Sequence, residues 1–88
     1  MPKGILNLNY LGVDEKYLTL KPHIRKMMCR EIILQSFKRM SVNHSIEIKT
    51  KTMASILKRS IAYYENEERY EECVILTDLL NILKEEYK

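Results

Sequence analysis

The chain has few of the residues from which small catalytic or metal-binding sites are built. Its 88 residues include two glycines, two cysteines and two histidines. Two glycines are too few for a phosphate-binding glycine loop. The four candidate metal ligands, His23, Cys29, His44 and Cys73, do not show the spacing of zinc ligands. We therefore expect neither a metal nor another cofactor.

Long apolar runs and paired cysteines are also missing. No segment is apolar over the length that a bilayer requires, and the N-terminus lacks the pattern of a signal peptide. The two cysteines lie too far apart in the sequence to suggest a disulfide framework. The apolar content of 45% is that of a globular chain. We expect one cytoplasmic domain over residues 1–88, with no membrane partner.

Charge is distributed unevenly along the chain. Residues 1–61 contain 12 basic and 4 acidic residues, whereas residues 62–88 contain 3 basic and 8 acidic ones. This asymmetry suggests either a polyanion that binds the basic part or head-to-tail self-association of opposite charges. Two solvated faces without any partner would give the same distribution.

A helical repeat of apolar residues dominates the C-terminal third. Leu57, Ile61 and Tyr64 recur at helical spacing, and a second series follows the polar run at 65–69. The second series consists of Cys73, Leu76, Leu80, Leu83 and Tyr87. Steps of three and four residues are the spacing of one helix packed along another. The pattern predicts an antiparallel helical hairpin over residues 52–87 that reverses near 67–69.

The second helix of this hairpin carries more apolar surface than one partner helix can cover. Val74, Ile75, Leu79 and Ile82 flank the repeat, so the apolar arc exceeds half of the circumference. A surface helix needs an arc of only about 100°. We therefore expect a second cover on this helix, supplied either by the N-terminal half of the chain or by another copy.

The N-terminal half is predicted to contain an arm, a helix and a connector. Residues 5–11 and 46–50 alternate between apolar and polar side chains, which favours extended segments that pair as a short two-stranded β ribbon. The arm, residues 1–21, covers either a neighbouring molecule or its own helices. Pro22 suits the first turn of a helix over residues 22–40. Residues 41–51 form the connector, with Thr50 or Thr52 as the N-cap of the next helix. The predicted fold is mainly α, with three helices.

Residues 70–83 resemble the second half of a UVR motif, which reads loosely aromatic-Glu-x-Ala-x-x-Leu-Arg-Asp-x-Ile-x-x-Leu. The matching residues are Tyr70, Glu71, Leu76, Asp78, Leu80 and Leu83, with Leu57 and Ile61 at apolar positions upstream. The chain departs from the motif at Tyr64, Cys73 and Thr77. UVR hairpins occur in nucleotide-excision-repair subunits and in adaptors of Clp-type unfoldases. The resemblance implies a hairpin that docks to a protein or pairs with itself.

No arrangement of side chains indicates catalysis. The carboxylates crowd the predicted reversal of the hairpin, at Glu65, Glu67, Glu68, Glu71 and Glu72. General acid–base chemistry needs carboxylates in a shielded pocket, and a charge run at a turn is usually solvated. The run is also a candidate docking epitope. We predict that the protein is not an enzyme.

The sequence predicts a small interaction protein, an adaptor or regulator that docks to or occludes another protein and also self-associates. The predicted contact residues on the last helix are Tyr70, Val74, Ile75, Leu79 and Ile82. The alternative is a basic regulator that binds nucleic acid through its Lys/Arg-rich region, residues 21–59. The predicted nucleic-acid contacts are Arg25, Lys26, Arg30, Lys38 and Arg39.

Overall fold

Three α-helices and one 3₁₀ helix make up the fold. The computed structural model describes residues 4–9 and 11–87. The 3₁₀ helix Glu15–Thr19 is followed by α1 (Pro22–Arg39), α2 (Ile46–Asn66) and α3 (Tyr70–Glu86). These residues include no β-strand. The prediction of a mainly α fold with three helices is confirmed.

Helix α3 lies between the other elements and carries much of the core. It packs antiparallel along α2, to which the short turn 67–69 connects it. Its other side faces α1 and the 3₁₀ helix. Helix α1 runs in the same direction as α3, because Arg25 contacts Asp78 and Arg30 contacts Glu86. The second cover that the apolar arc of α3 requires is therefore supplied by the chain itself.

The predicted β ribbon is wrong. Residues 46–50 form the first turn of α2, and residues 4–9 and 11 lie in turns and irregular backbone. The hydroxyl of Ser45 accepts a hydrogen bond from the backbone N–H of Ile48 at 3.2 Å, which caps the helix. The N-cap is thus Ser45 rather than Thr50 or Thr52, and α2 begins six residues before the predicted start at 52. Tyr10, which belongs to the predicted arm, lies outside the described residues.

Two side chains of α2 fasten the N-terminal arm. The hydroxyl of Ser60 accepts a hydrogen bond from the backbone N–H of Leu6 at 2.8 Å, and the hydroxyl of Tyr64 donates one to the carbonyl of Leu6 at 3.0 Å. Ser60 and Tyr64 are one helical turn apart, so both face the arm. Leu8 and Val13 are buried beyond this attachment. Of the two alternatives for the arm, the structure shows the one in which it covers its own helices.

A strained residue lies just beyond the end of α2. Glu68 has a φ of 58°, in the left-handed region. The N–H of Arg69 bonds to the carbonyl of Tyr64 at 2.8 Å, and that of Glu68 to the carbonyl of Glu65 at 3.0 Å, which is the Schellman pattern. Glycine is the usual residue at this position, because a side chain there costs about 1–2 kcal/mol.

Replacing Glu68 with glycine is expected to raise the free energy of unfolding by about 0.5–1 kcal/mol. Relief of the backbone strain stabilises the folded chain, and the greater conformational freedom of glycine in the unfolded chain offsets part of this gain. Chemical denaturation measures this difference. Glu67, with a φ of −85°, is the matched control, and Glu67→Gly is expected to lower stability instead. An equal loss in both variants would contradict the assignment of strain to Glu68.

Candidate interaction surfaces

Three of the five residues predicted to contact a partner belong to the core. Ile75, Leu79 and Ile82 are 2%, 0% and 4% exposed. The prediction is corrected at these positions, because α1, the 3₁₀ helix and the arm cover that side of α3. Tyr70 and Val74 stay exposed, at 60% and 44%, one turn apart near the start of the helix.

The five predicted nucleic-acid contacts do not form one surface. A nitrogen of Arg25 lies 2.6 Å from a carboxylate oxygen of Asp78, and Arg30 Nε lies 2.8 Å from the carboxylate of Glu86. Both guanidinium groups are therefore paired with carboxylates of the same chain. Lys26, Lys38 and Arg39 occupy exposed positions of α1, but the five positions are distributed around the helix. Such a distribution gives no continuous track for a phosphate backbone.

A polar cluster is built where the 3₁₀ helix, α1 and α3 meet. The Tyr17 hydroxyl donates to Asp78 at 2.7 Å and lies 3.1 Å from the sulfur of Cys29. Arg25 completes the cluster, with its guanidinium 5.2 Å from the centre of the Tyr17 ring. The cluster lies beside a cleft of about 280 Å³ that also reaches Asn81.

The protonation of this cluster favours a structural role. Burial, together with the hydrogen bonds to Cys29 and Asp78, raises the pKa of Tyr17 well above its ordinary 10.0. Burial also raises the pKa of the Cys29 thiol above its ordinary 9.0. A thiol held in its protonated form is a poor nucleophile, since the thiolate is the reactive species. The cluster therefore ties three elements together.

An exposed apolar surface lies at the end of the hairpin that is remote from the turn 67–69. We call this surface the open end, and define it as residues 38–51: the last turn of α1, the loop and the first turns of α2. Val42, Ile46 and Ile48 are 90%, 57% and 48% exposed. Three large apolar side chains are thus presented to solvent within seven residues.

Basic side chains surround the apolar residues of the open end. Residues 38–51 include four basic residues, Lys38, Arg39, Lys49 and Lys51, and one carboxylate, Glu47, for a net charge of +3. Glu47 lies 3.4 Å from Lys51, but both side chains are more than three-quarters exposed, at 79% and 78%. Such a pair contributes little, so the surface remains basic.

The opposite end of the hairpin is acidic. We call it the tip, and define it as residues 62–74, which include five glutamates and one arginine for a net charge of −4. The arginine, Arg69, bonds to Glu72 at 2.8 Å and lies 4.8 Å from the centre of the Tyr64 ring. A shallow depression of about 480 Å³ opens at the tip, lined by Ala62, Glu65, Asn66, Glu68 and Tyr70. The tip therefore presents carboxylates beside the exposed ring of Tyr70.

Sequence reasoning missed the open end because it placed Val42 in a connector and Ile46 and Ile48 in a strand. An available signal was Ser45, a favoured N-cap residue directly before Ile46. A helix that begins at Ile46 presents Ile46 and Ile48 on different sides of its first turn, where α3 has already ended. Neither side chain can then be covered fully by the core.

Within 4–9 and 11–87, no group of three or more His, Cys, Asp or Glu side chains could hold a metal ion. No described helix combines the length and the apolar character that crossing a bilayer requires. Comparison of the chain with protein-family models, with curated proteins and with solved structures gives no match. The resemblance to a UVR hairpin thus rests on the residues quoted above and stays a prediction.

Proposed function

We propose that the chain is a non-enzymatic interaction module that binds another protein, and also itself, through exposed apolar residues at the ends of the α2–α3 hairpin. The observation that carries this proposal is the open end, where Val42, Ile46 and Ile48 are exposed together. Single exposed apolar residues are ordinary, but three large ones within seven residues, among basic side chains, favour a protein-binding site.

The hydrophobic core is complete without the side chains of Val42, Ile46 and Ile48. Other apolar side chains make up the core. In the described part of the chain, every buried side-chain nitrogen or oxygen has a hydrogen-bond partner. Exposed isoleucine and valine contribute little to folding, and in contact with a partner each would bury apolar area worth about 25 cal/mol per Å². A partner surface is the use that best accounts for them.

The mode of action follows from the arrangement of charge and apolar area. The apolar residues of the open end would form the buried centre of a contact, while Lys38, Lys49 and Lys51 would orient an acidic partner and accelerate association. Because the tip lies at the far end of α2, one chain can engage two surfaces. This supports an adaptor that bridges its partners or occludes one of them.

The nucleic-acid alternative has less support. Arg25 and Arg30 are already paired with carboxylates, which removes two of the five predicted phosphate contacts. At the open end the lysines are interleaved with exposed isoleucines, which have no counterpart on a phosphate backbone. Protein binding uses both kinds of side chain, so we favour it.

Affinity capture from an extract of the native cells tests the proposal. The baits are the wild-type chain, an open-end variant that combines Val42→Asp with Ile46→Asp, and Met27→Asp as control. Met27 is 59% exposed on α1 and lies outside both ends. Ile46 opens α2, where an aspartate is favourable, so the open-end variant is expected to fold.

We expect the wild-type chain and Met27→Asp to retain the same protein, and the open-end variant to retain it at least about tenfold more weakly, as for loss of an interface anchor. Unchanged circular dichroism melting shows that the fold is intact. Retention of the same protein by all three baits would contradict the proposed function.

A further inference from the structure

The two ends of the hairpin are complementary in charge, and both expose apolar side chains. We infer that the acidic tip of one copy binds the basic open end of a second copy, so that the chain assembles head to tail. This inference rests on the proposed function and names a partner for the open end, a second copy of this chain.

The two ends of the hairpin carry opposite net charges. The open end carries a net charge of +3 over residues 38–51, and the tip carries −4 over residues 62–74. The carboxylates at the tip face solvent, since Glu65, Glu67, Glu68 and Glu71 are all exposed. Each end therefore offers the charges that the other lacks, whereas two tips or two open ends would repel each other.

Apolar side chains are exposed at both ends. At the tip, Ala62 and Tyr70 line the shallow depression together with Glu65, Asn66 and Glu68. At the open end, Val42 lies in the loop between α1 and α2 with 90% of its surface exposed. Tyr70 among carboxylates and Val42 among basic side chains would bury apolar area against each other while opposite charges meet around them. Tyrosine is also among the side chains enriched at the centres of protein interfaces.

The contact has to be intermolecular. The open end and the tip lie at opposite ends of α2, whose 21 residues span about 30 Å at 1.5 Å per residue. The Debye length at physiological salt is about 8 Å, so the two ends attract each other only weakly within one chain. A second copy is needed to bring them together.

The symmetry of this contact determines what assembles. The two surfaces differ, so every copy in a pair keeps one free open end or one free tip, and a head-to-tail contact continues into chains or closes into rings. The apolar residues at each end are few, which places the contact among small, weak interfaces. Assembly should therefore require high protein concentration and should weaken with salt.

Two complementary variants test the inference. The tip variant combines Glu65→Lys with Tyr70→Ala, and the open-end variant combines Val42→Asp with Ile46→Asp. All four residues are exposed, so the core is untouched. If the double tip variant does not fold, Glu65→Lys alone replaces it. The mass of each variant, of Met27→Asp and of the mixture is measured by light scattering at low salt.

We expect the wild-type chain and Met27→Asp to assemble, and each complementary variant alone to remain at the 10.5 kDa of one chain. Mixed in equal amounts, the two variants are expected to form a heterodimer of twice that mass. The tip variant keeps an intact open end, the open-end variant keeps an intact tip, and one contact between them remains possible.

Three results would overturn head-to-tail assembly: a monomeric wild-type chain, either variant assembling alone like the wild type, or a mixture that stays monomeric. The capture experiment separates this failure from failure of the proposed function. If the open-end variant loses a captured protein while the mixture stays monomeric, the module binds a different partner. If capture is unaffected, the proposed function itself fails.

Discussion

Replacing Leu79 with alanine is expected to lower the free energy of unfolding by about 3–5 kcal/mol. Leu79 is 0% exposed, on the helix that α1, α2 and the 3₁₀ helix all contact. Removing its side chain loses the free energy of burial and leaves a cavity that the surrounding helices fill only partly. Small domains have a total stability of about 5–15 kcal/mol, so the variant is expected to be marginal.

Val74→Ala is the matched control for this prediction. Val74 lies on the same helix but is 44% exposed, so its truncation is expected to cost less than about 1 kcal/mol. Urea denaturation of the two variants gives the comparison. Similar small losses in both would mean that the Leu79 side of α3 is open to a partner, as the sequence alone had suggested.

Stability is expected to fall steeply above about pH 9. Burial raises the pKa values of Tyr17, Cys29, Tyr64 and Cys73 above their ordinary values of 10.0 for tyrosine and 9.0 for cysteine. Above these values the unfolded chain loses protons that the folded chain keeps. The free energy of unfolding is therefore unaffected by these groups below pH 9 and decreases above it, by up to about 1.4 kcal/mol per pH unit for each group.

Tyr17→Phe identifies the largest contributor to this fall. Near neutral pH the variant is expected to be less stable by about 1–3 kcal/mol, because the hydrogen bond to the charged Asp78 is lost. Above pH 10 its stability is expected to fall less steeply than that of the wild type. Tyr70→Phe, at an exposed tyrosine, is the control variant. A profile of Tyr17→Phe that runs parallel to the wild type up to pH 11 would contradict the role of Tyr17.

The sequence predicted the hairpin correctly because its periodicity is long. Leu57 and Tyr64 on α2 and Leu76 and Leu83 on α3 are each at most 1% exposed, and they pack at the helical spacing that identified them. Pro22 likewise marked the start of α1, where it occupies the first turn. An apolar pattern that repeats at helical spacing over several turns is compatible with few structures other than a helix.

The β ribbon failed because its pattern is short. Five residues, 46–50, alternate once or twice, and such a stretch also suits the first turn of a helix. The cap at Ser45 and the continuation to Met53 and Leu57 determine the outcome, and both lie outside the alternating stretch. A short alternation of apolar and polar residues is weak evidence for a β-strand when a longer helical repeat follows it directly.

The prediction that Ile75, Leu79 and Ile82 contact a partner was wrong for a different reason. Periodicity shows that a face of α3 is buried, but not what buries it. Leu8 and Val13 of the arm and Ile33 of α1 belong to the core that includes Ile75, Leu79 and Ile82, and these contacts are distant in sequence. The sequence did not reveal the open end either, because the exposure of this surface depends on where α3 ends relative to the start of α2.

Recognition between the basic open end and the acidic tip is the central property that we propose for this protein. The most direct test is the solution mass of the wild-type chain by light scattering, over a concentration series at low and at high salt. At low salt we expect the mass to rise above 10.5 kDa with concentration. At about 1 M salt, where the Debye length is about 3 Å, it should return toward that of one chain. A mass of 10.5 kDa at every concentration, or an assembly that salt does not weaken, would contradict the claim.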